Sequence, residues 1–175
     1  MIKGSTVSLR ALEPEDIDLL FAWENDQHLW RVSNTHAPFS RFAIEQYVLS
    51  ASNDLYSNKE LRLIILLNEA QLAIGTLDLF DFDPLHQRAG VGIMILTSHR
   101  AMGYASEALS LLIDHCFRQL GLHQLYCTIS EENETSIGLF RKHGFELTGK
   151  RLDWVRYNGN WINELMFQLI NPSPL

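Results

Sequence analysis

The sequence predicts an α+β domain: a mixed, mostly antiparallel seven-stranded sheet with about four helices on its faces. Three observations predict it. Strand-like runs succeed one another across short turns at 61–67 (LRLIILL), 72–80 (LAIGTLDLF) and 87–96 (QRAGVGIMIL), the pattern of an antiparallel meander. The period then turns helical over 104–120 and returns to strand at 123–130, a β-α-β unit whose two strands must run parallel. Finally, Asn158 and Gly159 between two apolar runs mark a hairpin.

Each element follows from local chemistry. Residues 6–10 (TVSLR) make a short first strand. Pro14 opens a helix, with Glu15 and Asp16 in its first turn where acids complement the dipole. Ile17, Leu20 and Phe21 form its apolar stripe. Residues 26–40 are turn-rich and aromatic, and a second helix is expected over 41–52. In the third strand of the meander, Gly90 and Gly92 signal a bulge or a closely approaching group. Ala105, Ala108, Leu109, Leu112, Cys116 and Leu120 line one face of the long helix, and Gly121 stops it. Asn133 caps a short helix that reaches Arg141 or Lys142. Gly144 ends that helix, and Phe145 packs back on it. Strands at 146–157 and 160–170 complete the order.

Bulk composition narrows the function classes. The 175 residues suit one domain, 1–175, large enough to bury a core without staples. A net charge of -7 argues against nonspecific nucleic-acid binding, which needs clustered Lys and Arg. Cys116 and Cys127 lack metal-ligand spacing and read as buried free thiols, as in a reducing cytoplasm. No signal-peptide pattern and no run of membrane-spanning length occurs, so a cytoplasmic protein without a membrane partner is expected. H-E-x-x-H and G-x-S-x-G are both missing, so metalloprotease and serine hydrolase chemistry lack support, and no metal is expected.

The informative stretch is SHRAMGYASEAL, residues 98–109, at a strand-to-helix junction. Helix N-terminal N–H groups point at anions, so small residues there suit a phosphate ligand. The nucleotide P-loop pattern is absent. Gly90, Val91 and Gly92 begin like a dinucleotide fingerprint, but position 95 is Ile and the pair lies too far before the helix. Arg100, Ala101, Met102, Gly103, Tyr104 and Ala105 fit a third pattern, R/Q-x-x-G-x-G/A.

This stretch resembles the pyrophosphate loop of the GNAT acyl-CoA N-acetyltransferase superfamily. NETSIGLFRKHGFELTGK (133–150) resembles that family's second cofactor motif. LRALEPEDIDLLFAWEND and LDLFDFDPLHQRAGVGI resemble the branch holding spermidine acetyltransferases and ribosomal-protein N-terminal acetyltransferases. The resemblance spans nearly the whole chain. It implies a sheet whose parallel pair splays apart, with acetyl-CoA as co-substrate in the gap. It assigns cofactor contacts to Ile93, Met94 and Ile95 of the strand, to residues 100–105 of the loop, and to Asn133, Ser136, Phe140 and Lys142.

The implied reaction is direct attack of a primary amine on the acetyl thioester. An alkylammonium with pKa near ~10 must first lose a proton. Negative charge then grows on the carbonyl oxygen, where a backbone N–H from 93–95 is the natural donor. Two positions depart from the family. Many relatives carry Tyr, an acid for the leaving thiolate, where this chain has Phe140. Relatives in this branch often carry Glu where it has Gly90. A thiol with pKa about 8.5 leaves tolerably without help, and water held by Ser136 or Asn133 is a substitute acid. Replacement bases are Asp78 and Asp81, Glu131 and Glu132, His86 and His99, or a water chain; Asp78, Glu131 and Ser136 stand as the catalytic candidates. The loop RVSNTHAPFSRF lacks the acidic cluster of spermidine enzymes, which counts against polyamine regulation. Trp23, Trp30, Phe39, Trp154 and Trp161 are candidate walls of an acceptor pocket. The acceptor is therefore expected to be a small amine, with a peptide N-terminus as the alternative. A non-catalytic acyl-CoA-binding module is the rival, and self-association is left open.

Overall fold

The structure, a computed structural model, describes residues 1–33, 35–51 and 54–173. Eight strands form one sheet: β1 (Ile2–Lys3), β2 (Val7–Ala11), β3 (Leu61–Leu67), β4 (Leu72–Asp83), β5 (Arg88–Ile95), β6 (Gln124–Ser130), β7 (Glu146–Tyr157) and β8 (Asn160–Ile170). Their spatial order is β1-β2-β3-β4-β5-β6-β8-β7. All neighbours are antiparallel except β5 and β6. The expected α+β class and mixed sheet hold. The count rises from seven to eight because Ile2 and Lys3 pair with Leu9 and Ser8 at the edge.

Six α-helices appear among the described residues rather than about four: α1 (Ile17–Glu24), α2 (Gln27–Ser33), α3 (Arg41–Ser50), α4 (Leu55–Asn58), α5 (Tyr104–Arg118) and α6 (Glu134–Lys142). The additions, α2 and α4, are too short for a periodic stripe to announce them. Asp54 caps α4, its side chain accepting from Tyr56 and Ser57. Pro14 opens a 3-10 turn rather than α1 itself, and Arg10 grips Asp16 there with two hydrogen bonds of 2.6 and 2.7 Å. The expected helix end at Ser52 lies outside the described residues, and α3 is seen to Ser50. The long helix stops at Arg118, two residues short of expectation.

The two faces of the sheet carry different helices. Ala108, Leu109, Leu112 and Cys116 of α5 and Phe140 of α6 pack on Leu77, Ala89, Val91 and Leu125. Leu20 and Trp23 of α1, Leu29 of α2, and Ile44 and Val48 of α3 pack on Ile64 of the opposite face. Cys116 and Cys127 are buried free thiols, and burial pushes both up to about 12. No described helix is long and apolar enough to cross a membrane.

Candidate active site

The site begins where β5 and β6, the only parallel pair among the described residues, come apart. β5 and β6 are in register at Arg88 with Gln124, Ala89 with Leu125 and Gly90 with Tyr126. Beyond that rung, residues 91–95 and 127–130 run on without pairing to each other. Each is held on its outer side: β4 pairs with β5 as far as Ile95, and β8 with β6 as far as Ser130. The result is a wedge with rigid walls and unpaired backbone groups along both inner edges. Such groups are costly unless a ligand takes them.

The loop at the mouth of the wedge has an unusual backbone. A 3-10 turn over Thr97–His99 follows β5, and Arg100 is extended. Ala101 (φ 61) and Gly103 (φ 86) are both left-handed. Left-handed residues in a turn group successive N–H groups into an anion-binding concavity. Arg100 Nε donates to the Ile95 carbonyl at 2.9 Å and so ties the two ends of the loop. Gly103 caps α5, whose first N–H groups have no helical partner. A Cβ on Gly103 would meet nothing within 4 Å, so the glycine is required by its backbone angle and leaves open space before the loop. Met102 is exposed, while Tyr104 and Ala105 pack partly against the core. The loop thus fits a diphosphate, and the wedge behind it fits an extended arm with amide groups.

The second motif lies across the wedge. Asn133 caps α6, its Oδ1 accepting from the Ser136 N–H at 3.1 Å, so Ser136 stands in the first turn. Lys142 is exposed at the far end of the helix. Phe140 is 3% exposed and edge-on to Phe145, with centroids 5.0 Å apart. His143 ties α6 to α5 through Ser106 Oγ at 2.9 Å.

The catalytic candidates scatter. Asp78 lies opposite Gly92, and a Cβ built there would stand 4.0 Å from the Asp78 Cβ. Both its oxygens are taken by Arg62, at 2.7 and 3.1 Å, while Arg62 Nη1 donates to Glu24 at 2.6 Å. Burial works against the Arg62 charge, yet Asp78 and Glu24 outweigh it and raise the guanidinium further above its ordinary value. Glu131 is exposed and held by Lys150 and Asn163, which lower its pKa. His99 bonds Ser98 through its ring, and exposed His86 donates its backbone N–H to Asp83. The expected aromatic set is divided. Trp23 is in the core, Trp30 donates to the Glu24 carbonyl, and Trp154 and Trp161 stand exposed on β7 and β8 with Arg151 and Arg156 over their rings.

Four residues of this face belong to no sequence motif: Glu24, Arg62, Phe80 and Tyr126. Burial pushes the Tyr126 phenol up to about 12, helped by its hydrogen bond to Asp81. The one available signal was the pair of glycines, 90 and 92, on the same face of β5.

Residues 6–146 match the family described as Acetyltransferase (GNAT) domain. An uncharacterized N-acetyltransferase, p20 of Bacillus licheniformis, is 30% identical over 94% of this chain and 92% of its own. Spermidine N(1)-acetyltransferase of Escherichia coli K12 is 27% identical over 94% of this chain and 86% of its own. The crystal structure of spermidine N-acetyltransferase from Vibrio cholerae in complex with CoA and spermine superposes with a TM-score of 0.87 at 22% identity, covering 95% of this chain and 96% of that one.

Proposed function

Because the chain belongs to the GNAT acetyltransferase family, we propose that it moves an acetyl group from acetyl-CoA to a primary amine by direct attack. The observation that carries this reading is the wedge between β5 and β6, opening onto a loop with two left-handed residues. N–H groups of residues 101–105 would hold the diphosphate at the start of α5, with Arg100 bracing the loop from behind. Backbone groups of Ile93, Met94 and Ile95 would pair with the arm. One of their N–H groups would face the carbonyl oxygen as its charge grows. Asn133 and Ser136 would line the opposite side, and Lys142 would reach a peripheral phosphate.

Asp78 is the carboxylate candidate beside this strand segment. Arg62 fixes its direction through two hydrogen bonds, so it suits orienting the acceptor's ammonium group. The proton then leaves to water as the amine turns to attack. Glu24, Arg62 and Asp78 together carry one surplus negative charge, which favours a cationic acceptor. The acceptor proposed is a small amine, in keeping with the spermidine enzymes among the relatives.

Release of free thiol from acetyl-CoA, measured with spermidine, simple monoamines and peptides bearing a free N-terminus, tests the proposal. Turnover with a small amine above the rate without acceptor is expected. Peptide turnover alone would shift the acceptor to a protein N-terminus. Binding of acetyl-CoA without turnover on any acceptor would leave a passive binding module instead.

A further inference from the structure

The closed end of the wedge has a construction of its own. Ala89, Val91 and Ile95 belong to the core under α5, so the alternation of β5 turns Gly90, Gly92 and Met94 to the opposite face. There Phe80, the antiparallel partner of Gly90, lays its ring along β5. A Cβ on Gly90 would stand 2.1 Å from Phe80 Cε2, and a Cβ on Gly92 would stand 3.9 Å from Cε1. One ring thus covers two consecutive same-face positions, and the sequence GVG makes the room for it. Tyr126 meets that ring edge-on, with centroids 5.8 Å apart and planes at 86°. The Tyr126 hydroxyl is in turn anchored on Asp81 Oδ2 at 3.0 Å. On the other face the same end is shut by Val91 and Cys127, 2% and 1% exposed.

We propose that Phe80, braced by Tyr126, sets the length of the acyl group that the site accepts and confines the donor to acetyl. The inference rests on the proposal that the wedge takes an acyl-CoA. The arm enters from the loop and points toward the Gly90–Tyr126 rung, so a longer acyl chain extends into the closed end. It meets paired backbone ahead, the Phe80 ring on one side and packed core on the other. Tyr126 stands against the ring and blocks its retreat on that side. Close-packed walls of this kind exclude added methylenes.

Calorimetric titration with CoA, acetyl-CoA and butyryl-CoA tests this without reference to turnover. The wild-type chain is expected to bind butyryl-CoA at least about tenfold more weakly than acetyl-CoA. Phe80→Ala should bring the two within about threefold, leaving CoA itself unchanged, because only the closed end is enlarged. Phe80→Leu, which keeps most of the volume, should give an intermediate ratio and serves if the alanine variant does not fold. Equal binding of the two thioesters by wild type overturns the inference while the proposed function stands. So does an unchanged ratio in the Phe80 variants, or a change confined to the KM of the amine. If neither CoA nor any thioester binds to wild type, the proposed function fails first and carries this inference with it.

Discussion

Arg62 holds both carboxylate oxygens of Asp78, Nε to Oδ1 at 2.7 Å and Nη2 to Oδ2 at 3.1 Å, directly beside the strand segment that leads into the wedge. The fork fixes the direction of the carboxylate, which suits it to orient an ammonium group. Asp78→Asn should therefore lower kcat/KM for the amine about tenfold to a hundredfold, the worth of one charge-assisted hydrogen bond. Affinity for acetyl-CoA should stay as it is. Steady-state kinetics against both substrates checks the split; an unchanged amine KM would remove Asp78 from the acceptor site.

Arg62 itself is a structural matter. Its side chain is 23% exposed, and it neutralises Glu24 and Asp78, which are 19% and 27% exposed. Arg62→Met leaves two carboxylates facing each other with little water, at a cost of about 2 kcal/mol. Urea denaturation of the variant beside wild type will show the loss, and equal midpoints would refute it.

Gly103 is the residue on which the loop before α5 turns. Its φ of 86 is left-handed, and the space before it is open. Gly103→Glu should cost about 1–2 kcal/mol in strain and leave the fold intact. It should also weaken acetyl-CoA binding beyond detection by calorimetry, because it sets bulk and negative charge where the diphosphate is proposed to lie. Gly103→Ala carries the strain without the charge and should keep measurable affinity.

Glu107 fastens the start of the chain to α5, one turn past that loop. Its Oε1 accepts from Thr6 N–H at 2.8 Å, from Ser5 Oγ at 2.9 Å and from Val7 N–H at 3.4 Å. Burial pushes its pKa up, but these donors together outweigh burial and hold it below the ordinary 4.5. A lowered folded pKa gives stability that is present above the unfolded value and lost as pH falls through the folded one. Glu107→Gln should therefore be about 1–2 kcal/mol less stable than wild type at pH 7. The gap should narrow as pH falls through the folded value, which thermal melts at a series of pH values will register.

Much of this was legible in the chain because it depends on local chemistry. The α5 stripe, the Asn133 cap, the Asn158 and Gly159 turn and the loop pattern are each carried within a few residues. The wedge was legible only as a parallel pair; its splay came from resemblance, since no local pattern says where pairing ends. The Glu24, Arg62 and Asp78 cluster joins residues 38 and 16 positions apart, a matter of register. Phe80 was hidden for the same reason. β4 loses its regular register between Phe80 and Asp83, where Asp81 turns left-handed, and only the folded sheet reveals that Phe80 lies over Gly90.

That last contact makes a stability prediction of its own. Gly90 is buried, and any Cβ there would fall within 2.6 Å of three Phe80 ring atoms. Gly90→Ala forces the ring off its rotamer or pushes β5 from β4, which should cost about 1–3 kcal/mol. Replacing Phe80 by Leu removes the obstacle, so the double variant should be more stable than the sum of the single losses allows, a coupling that marks direct contact. With Phe80 in place, no longer side chain fits at position 90. Denaturation of the two single variants and the double variant completes the cycle, and strictly additive losses would refute the contact.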